Sequence, residues 1–254
     1  MKSKSITAER RNKLAQIIVS EGSAKVSDIA KHFHVTTETI RKDLIFLEEQ
    51  GIVKKSHGGA VSASSFLERP ISIKESENIE PKAQIAIKAL ELIPDNAIIM
   101  MDGGSTTFHI AKLLTLKENI TVITNSLIIA QVLANTSNNI LCLGGKLRGS
   151  SRAVTGAWAT DIIKTLTVDL AFIGTDSLDD KGPSTLSYEE AQVKQAMLEH
   201  SNKTIVVSDS SKLKRQGLFH CGKWSDIDYL ITDSGINLSE IDFITSKTTV
   251  LIGE

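Results

Sequence analysis

The chain has 254 residues, 41% of them hydrophobic and 23% charged, with a formal net charge of -1, which excludes a disordered or collagen-like chain and leaves room for two domains. Its longest purely apolar runs, such as residues 97–101, fall far short of the roughly 18 to 20 residues a membrane span needs, and the basic start MKSKSITAERRNK is not followed by the apolar stretch of a secretory signal, so a cytoplasmic protein without membrane contact is expected. The charge is uneven: residues 1–60 hold eleven Lys and Arg against seven acids, a net +4, and the remainder carries -5, so an anionic partner is expected for the first part only.

In chain order, Leu14, Ile17 and Ile18 recur at helical spacing behind Thr7, which predicts a first helix capped by Thr7 and ending near Gly22. Ser27 is placed to cap a second, SDIAKHF, with Ile29, Ala30 and Phe33 on one side. After a tight turn at His34 and Val35, Thr36 caps TETIRKDLIFLEEQ, where Ile40, Leu44 and Leu47 face one way and Gly51 ends the run. The stretch GIVKKSHGGAV reads as two β-prone pieces around a Gly-Gly turn, a hairpin wing.

A helix, a tight turn and a second capped helix followed by a basic hairpin fits a DNA major groove. With Ile40, Leu44 and Leu47 turned inward, Thr37, Glu38, Arg41 and Lys42 point away as contacts to base edges and phosphates, with Thr36 and Thr39 beside them. Arg41 can bind guanine in bidentate fashion, while Lys42, Lys54, Lys55, His57 and the wing residue Gly58 lie where phosphates would be met. The alternative is a solvated helix face on which Glu38 and Lys42 form an i, i+4 pair.

Residues 61–80 lack sustained periodicity and contain SASS and Pro70, which suggests a linker between a DNA-binding domain over 1–60 and a second domain over 81–254. From Pro81 onward, strand-like and helix-like stretches alternate: AIIMMD, TTFHIAKLL, ITVIT, SLIIAQVLAN, NILCLGG, VDLAFIG, YEEAQVKQAMLEHS, KTIVVSD, DYLITD and TTVLIG. Short apolar strands separated by amphipathic helices mean an α/β fold with a mostly parallel sheet covered on both faces.

The strand AIIMMD ends at Asp102 and runs through Gly103, Gly104, Ser105, Thr106 and Thr107 into a helix. Glycines let the backbone approach closely, hydroxyls donate, and a helix start carries partial positive charge, so this turn suits an anion. It matches neither GxGxxG nor GxxxxGK[ST], so no dinucleotide, nucleoside triphosphate or other cofactor is indicated. Thr124-Asn125-Ser126, Gly144-Gly145-Lys146, Gly174-Thr175-Asp176 and Asp209-Ser210-Ser211-Lys212 also fall at strand C-terminal ends, where open α/β sheets bind ligands. Asp102, Asp176 and Asp209 with Lys194 or Lys212 could alternatively serve as acid and base in a sugar-phosphate isomerase or deaminase. Cys142 and Cys221 are too far apart in sequence to suggest a zinc pair or disulfide framework, and His57 has no partners at ligand spacing, so no metal site is expected.

The stretch ERRNKLAQIIVSEGSAKVSDIAKHFHVTTETIRKDLIFLEEQGIVKKSHGGAV resembles the winged helix-turn-helix of DeoR-type bacterial transcriptional regulators, with Lys42 where arginine is more usual. The succession DGGSTT, TNS, LGG, DLAFIGTD, EEAQVKQAM and SDSSK resembles their effector domain, so the likeness covers most of the chain. The resemblance implies a regulator of sugar metabolism, a repressor rather than an enzyme. It also implies a fold shared with sugar-phosphate isomerases, and a phosphorylated sugar as effector. The phosphate cradle would be Gly104, Ser105, Thr106 and Thr107. Asn125 and Ser126 would line the sugar, and Lys194 and Lys212 would bring positive charge, with Asp102, Gly103, Gly145 and Asp176 around them. Gly103 stands where alanine or serine is common, and PSTLSYEE replaces a more usual glycine-threonine approach. One module with few base contacts gives limited specificity, so a homo-oligomer, at least a dimer, is expected on a double-stranded operator.

Overall fold

The computed structural model describes residues 7, 10–15, 17–18, 23–49, 52–56, 58–62, 69–213, 215 and 217–254. They form two compact units, Met1–Ile73 and Lys74–Glu254.

In the first unit residues 10–15 and 17–18 are helical, followed by strand β1 (Ser23–Lys25), helix α1 (Val26–His32), helix α2 (Thr37–Glu49) and strands β2 (Val53–Ser56) and β3 (Gly59–Ser62). Leu14, Ile18, Ile29, Ile40, Leu44, Leu47 and Val53 close one small core. Two expected helix caps, Thr7 and Ser27, change. Thr7 is itself helical, so it does not stand in front of the helix as a cap, and Gly22 and Gly51 lie outside the described residues. Ser27 sits inside α1 and donates to Asp28 at 3.1 Å, while Lys25 occupies the cap position without a side-chain bond. The reason is β1, which pairs with β3 and carries the chain straight from sheet into helix, so that the Gly58 carbonyl accepts the Val26 N–H at 2.9 Å. The wing is therefore a three-stranded antiparallel sheet, ordered β1-β3-β2. Its turn needs both glycines. Gly58 has φ +77, and a Cβ on Gly59 would fall on the Ala24 carbonyl oxygen of β1.

The stretch 61–80 holds more structure than a linker. Residues 63–68 lie outside the description, but helix α3 (Ile71–Glu75) and the start of helix α4 (Ile79–Glu91) fall within it. Pro81 lies in the first turn of α4, where a missing N–H costs little.

The second unit is a doubly wound α/β fold. The described residues form a seven-stranded parallel sheet from β4 (Ile98–Met101), β5 (Thr121–Thr124), β6 (Asn139–Cys142), β9 (Val168–Gly174), β12 (Ser201–Val207), β14 (Tyr229–Asp233) and β15 (Thr249–Gly253), in the order β15-β14-β12-β9-β4-β5-β6. Between β6 and β9 lie an antiparallel hairpin, β7 (Lys146–Arg148) with β8 (Ala153–Thr155), and helix α7 (Ala157–Ile163). A small sheet orders β10 (Ser177–Leu178), β11 (Pro183–Thr185) and β13 (Phe219–His220) beside it.

The apolar runs follow from burial on both faces. Along β9, Leu170 and Phe172 point to one core with Ile85 and Ala89 of α4, Ile110 and Leu114 of helix α5 (Ser105–Leu114) and Ile129 of helix α6 (Leu127–Leu133). Ala171 and Ile173 point to the other, with Ile163 of α7 and Val193 and Met197 of helix α8 (Tyr188–Glu199). A strand with two covered faces has no polar side to show, which is why alternation is missing from the sequence.

Candidate DNA-reading helix and effector site

Helix α2 is built to present one face. Thr36 accepts the Thr39 N–H at 3.2 Å and lies 2.9 Å from the Thr39 hydroxyl, so this pair closes the helix start. Ile40, Asp43, Leu44 and Leu47 are buried, and Thr37, Glu38, Arg41 and Lys42 are exposed. Asp43, 1% exposed, accepts from Arg10 Nε at 2.6 Å and Arg11 Nε at 2.8 Å, and the Arg11 guanidinium lies 4.0 Å from the centroid of the Phe46 ring. Two of the cations in the N-terminal excess are thus committed to Asp43, a partnership that sequence spacing does not show.

Glu38 pairs with Arg41 at 3.6 Å and not with Lys42. Both side chains are exposed, so the pair is worth only a few tenths of a kcal/mol and exchanges readily for a phosphate or base. Lys55 is tied to Glu48, through Nζ at 3.1 Å and through its own N–H at 2.8 Å. The backbone bond first, and the ammonium second, hold the Glu48 carboxyl below its ordinary range. Lys54 is exposed. His57 lies outside the described residues.

In the second unit the chain runs out from β4 through β5 to β6, then returns to place β9 on the other side of β4. The order reverses between β4 and β9, and it is at such a point, beyond the C-terminal ends of the strands, that open α/β sheets take their ligands. Asp102 follows β4 and Gly174 ends β9, and Lys194 reaches up from α8 between them. Its ammonium donates to Asp102 Oδ2 and, at 3.0 Å, to the Gly174 carbonyl, while the Gly174 N–H donates to the same Asp102 oxygen at 3.2 Å. Both side chains are nearly inaccessible, at 3% for Lys194 and 2% for Asp102. Burial alone would lower the Lys194 pKa; the adjoining carboxylate outweighs it and raises it, so Lys194 stays charged. This pair braces the ends of β4 and β9 where the strand order reverses.

The start of α5 lies at the same edge. Gly104 caps it without a side-chain bond, so the first N–H groups are left for a ligand. Ser105 and Thr106 are 8% exposed, whereas Thr107 is fully buried and donates to the Gly104 carbonyl at 2.9 Å. Of the four expected cradle residues, Thr107 is thus spent on the backbone, and Gly104, Ser105 and Thr106 with their backbone N–H groups are the candidates left. Asn125 and Ser126 do not line a cavity with free groups. Asn125 accepts the Gly103 N–H at 2.9 Å and donates to the Val154 carbonyl at 3.0 Å, and Ser126 accepts the Ile129 N–H at 3.4 Å as the cap of α6. These bonds hold the Gly103 turn against β8, where a Cβ on residue 103 would come 2.7 Å from the Ala153 Cβ. Glycine at 103 is therefore fixed by packing. Gly145 is explained the same way: it has φ +147, and a Cβ there would come 2.6 Å from the Thr155 carbonyl oxygen.

The loops after β9 and β12 carry charge. Asp176, after β9, accepts from Lys74 Nζ at 2.8 Å, from the Thr185 hydroxyl at 2.8 Å and from the Leu186 N–H at 3.3 Å. Burial would push its pKa up, but the Lys74 charge and these bonds hold it well below the carboxylate range. Beyond β12, Asp209 caps the short turn Ser210–Lys212 by accepting the Ser211 N–H at 3.2 Å, and its Oδ2 is buried without a partner among the described residues. The Lys212 ammonium makes no hydrogen bond or ion pair among the described residues, and burial lowers its pKa while Asp209 works against that.

The structure adds three residues that sequence reading missed. Lys74 faces Asp176, Asn78 donates to Asp209 at 3.0 Å and to Ser211 at 3.1 Å, and Lys82 donates to the carbonyls of Lys74 and Glu77. Burial chiefly lowers the Lys82 pKa to about 8. Asp102 and Asp176 are held by lysines, so neither stands as a free base for isomerisation. Among the described residues no group of three or more His, Cys, Asp and Glu could hold a metal, both cysteines are free, and no helix is long and apolar enough to cross a membrane.

A winged helix with one exposed reading face, joined to a doubly wound sheet whose ligand edge gathers cations, defines a DNA-binding regulator with a sensor. The chain belongs to the DeoR family. The DeoR-like helix-turn-helix domain matches residues 10–66 and the DeoR C terminal sensor domain residues 77–234. It is similar to the HTH-type transcriptional regulator GlpR of Haloferax volcanii, 31% identical over 97% of this chain and 98% of that one. It is also similar to the glycerol-3-phosphate regulon repressor of Escherichia coli (strain K12), 29% identical over 93% of this chain and 95% of that one. A solved D-ribose-5-phosphate isomerase in complex with phospho-erythronic acid aligns over 53% of this chain and 54% of its own, with 21% identity and a TM-score of 0.41. The chain is a transcriptional regulator and not an enzyme.

Proposed function

We propose that this regulator is a cytoplasmic repressor of a carbohydrate-utilisation operon, and that a phosphorylated sugar bound at the C-terminal edge of the sheet controls its affinity for a double-stranded operator. The observation that carries this reading is the half-buried Lys212 ammonium, which makes no hydrogen bond or ion pair among the described residues, at the same strand-end edge of the sheet as the start of α5. A phosphate at this edge would draw on backbone N–H groups and a cation, and Asp209 Oδ2, which has no hydrogen-bond partner among the described residues, suits a sugar hydroxyl. A relative is named for a glycerol-3-phosphate regulon, which agrees with a phosphorylated effector. Operator contact falls to Thr36, Thr37, Glu38, Thr39, Arg41 and Lys42 on α2 and to Lys54, Lys55 and Gly58 on the wing. A homo-oligomer, at least a dimer, would read repeated half-sites. For the ligand to act, it must bind the DNA-free and DNA-bound states unequally.

Thermal unfolding against phosphorylated sugars, each matched with its unphosphorylated form, tests the sensor. At about 100 times its dissociation constant a ligand adds about 2.7 kcal/mol of stability. The expected result is a rise in Tm with one or a few phosphorylated members and none with their partners. A shift by the free sugar alone would overturn the phosphate cradle.

A further inference from the structure

The most unusual feature of the effector edge is where one of its cations comes from. Lys74 belongs to α3, the short helix Ile71–Glu75, which joins the last residues of the first unit to the first residues of the second. Its ammonium lies 2.8 Å from Asp176, 102 residues away in sequence, in a pair with both side chains under one-fifth exposed. Four residues further on, Asn78 reaches Asp209 and Ser211, 131 and 133 residues away. Lys82, 2% exposed, fastens the end of α3 by donating to the carbonyls of Lys74 and Glu77. The segment leading out of the DNA-binding unit is thus tied to the loops after β9 and β12, which carry Asp176 and Lys212.

We propose that the Lys74–Asp176 pair is a ligand-sensing latch: an anion seated at Lys212 competes with Asp176 for Lys74, and the shift of Lys74 transmits occupancy through α3 to the DNA-binding unit. This rests on the sensor reading above. Asp176 has its second oxygen satisfied by Thr185 and Leu186, so it can release Lys74 without losing all its partners. A phosphate offers Lys74 a charge-assisted bond of the same kind as the carboxylate it leaves, so the exchange is near balance and small differences in ligand affinity can bias it. Asn78 has φ 50, a left-handed conformation at the cap of α4. Asparagine tolerates that conformation, so the chain can turn here and send its amide back to Asp209.

The test uses the full-length chain and a duplex selected by the wild-type protein from random DNA. Operator affinity is measured for wild type, Lys74→Met, Asp176→Asn and Lys74→Arg. Measurements are made without ligand and with inorganic phosphate, glycerol 3-phosphate, ribose 5-phosphate and fructose 6-phosphate at 10 mM or roughly 100 times the dissociation constant. Without ligand, Lys74→Met and Asp176→Asn should change operator affinity at least fivefold, in the direction that ligand produces in wild type. Both should also lose the ligand response while calorimetry still detects ligand binding; Lys74→Arg should keep it. Circular dichroism confirms folding, and Asp176→Asn keeps the side-chain shape if Lys74→Met does not fold. Operator affinity and ligand response equal to wild type in both variants would overturn the latch and leave the sensor standing. A wild-type chain that binds none of the four anions, and whose variants bind the duplex as it does, would overturn both.

Discussion

Replacing Lys194 by methionine isolates the ion pair that braces the ends of β4 and β9. Methionine fills much of the same space but leaves Asp102, 2% exposed, with one N–H donor from Gly174 at 3.2 Å. A carboxylate in that position can escape by taking a proton. At pH 7 that costs about 1.4 kcal/mol for each of the roughly three pH units above its unfolded pKa of about 3.9, so about 4 kcal/mol in all. This agrees with the roughly 3 to 5 kcal/mol expected when one partner of a buried pair is removed. The sign of the pH dependence follows. In the variant the folded state holds a proton on Asp102 that the unfolded state has lost, so stability falls as pH rises from about 4 to 7, by about 1.4 kcal/mol per unit relative to wild type. Trp158 and Trp224, the two tryptophans of the chain, both belong to the second unit, so urea unfolding followed by tryptophan fluorescence reports that unit. Asp102→Asn combined with Lys194→Met should recover most of the loss. A single-variant cost under about 1 kcal/mol at pH 7, or one independent of pH, would refute the picture of a buried charged pair.

Other consequences follow from the same contacts. Arg41→Ala should lower the ratio of specific to non-specific DNA affinity, by about 1 to 3 kcal/mol in discrimination if Arg41 reads guanine, in a binding assay with operator and scrambled duplexes; equal weakening of both would make it a phosphate contact. Asp43→Asn removes the charge that holds Arg10 and Arg11 at 2.6 and 2.8 Å. It should destabilise the first unit by about 2 to 3 kcal/mol, the scale of a charge-assisted bond lost in a buried setting, as read by circular dichroism. Lys82 has a folded pKa of about 8, below its unfolded value of about 10.4. The unfolded chain binds more protons in that window, so wild-type stability should rise with pH between about 8 and 10.4 relative to Lys82→Met, and parallel curves would contradict the shift.

What could be read without coordinates divides along physical lines. The strands AIIMMD, VDLAFIG and KTIVVSD are legible because a strand buried on both faces is a continuous apolar run, and all three stand in the sheet. The inward face of α2 is legible because Ile40, Leu44 and Leu47 repeat at helical spacing. Helix α4 is harder to see, since Pro81 opens it and two of its core contacts, Ala86 and Ala89, are alanines with little hydrophobic weight. The cap at Ser27 fails because a local cap preference competes with β1, whose pairing with β3 is set by contacts over thirty residues away. At the site, the Asp102 turn and Lys212 are visible as residue types at strand ends. The use of Asn125, Ser126 and Thr107 to brace the fold is not, because a hydroxyl or amide reads the same in sequence whether its partner is a ligand or a backbone carbonyl. Lys74, Asn78 and Lys82 are the extreme case: in a stretch without periodicity, the meaning of Lys74 and Asn78 comes from partners more than a hundred residues away.

The most direct test of the sensor assignment is a calorimetric titration of wild type and Lys212→Met with the phosphorylated sugar that shifts the Tm. Lys212 is the cation left without a protein partner at the sheet edge among the described residues, so the variant should fold as wild type and bind at least tenfold more weakly, a loss of about 1.4 kcal/mol. Equal affinity in the two proteins would place the phosphate elsewhere and contradict the site.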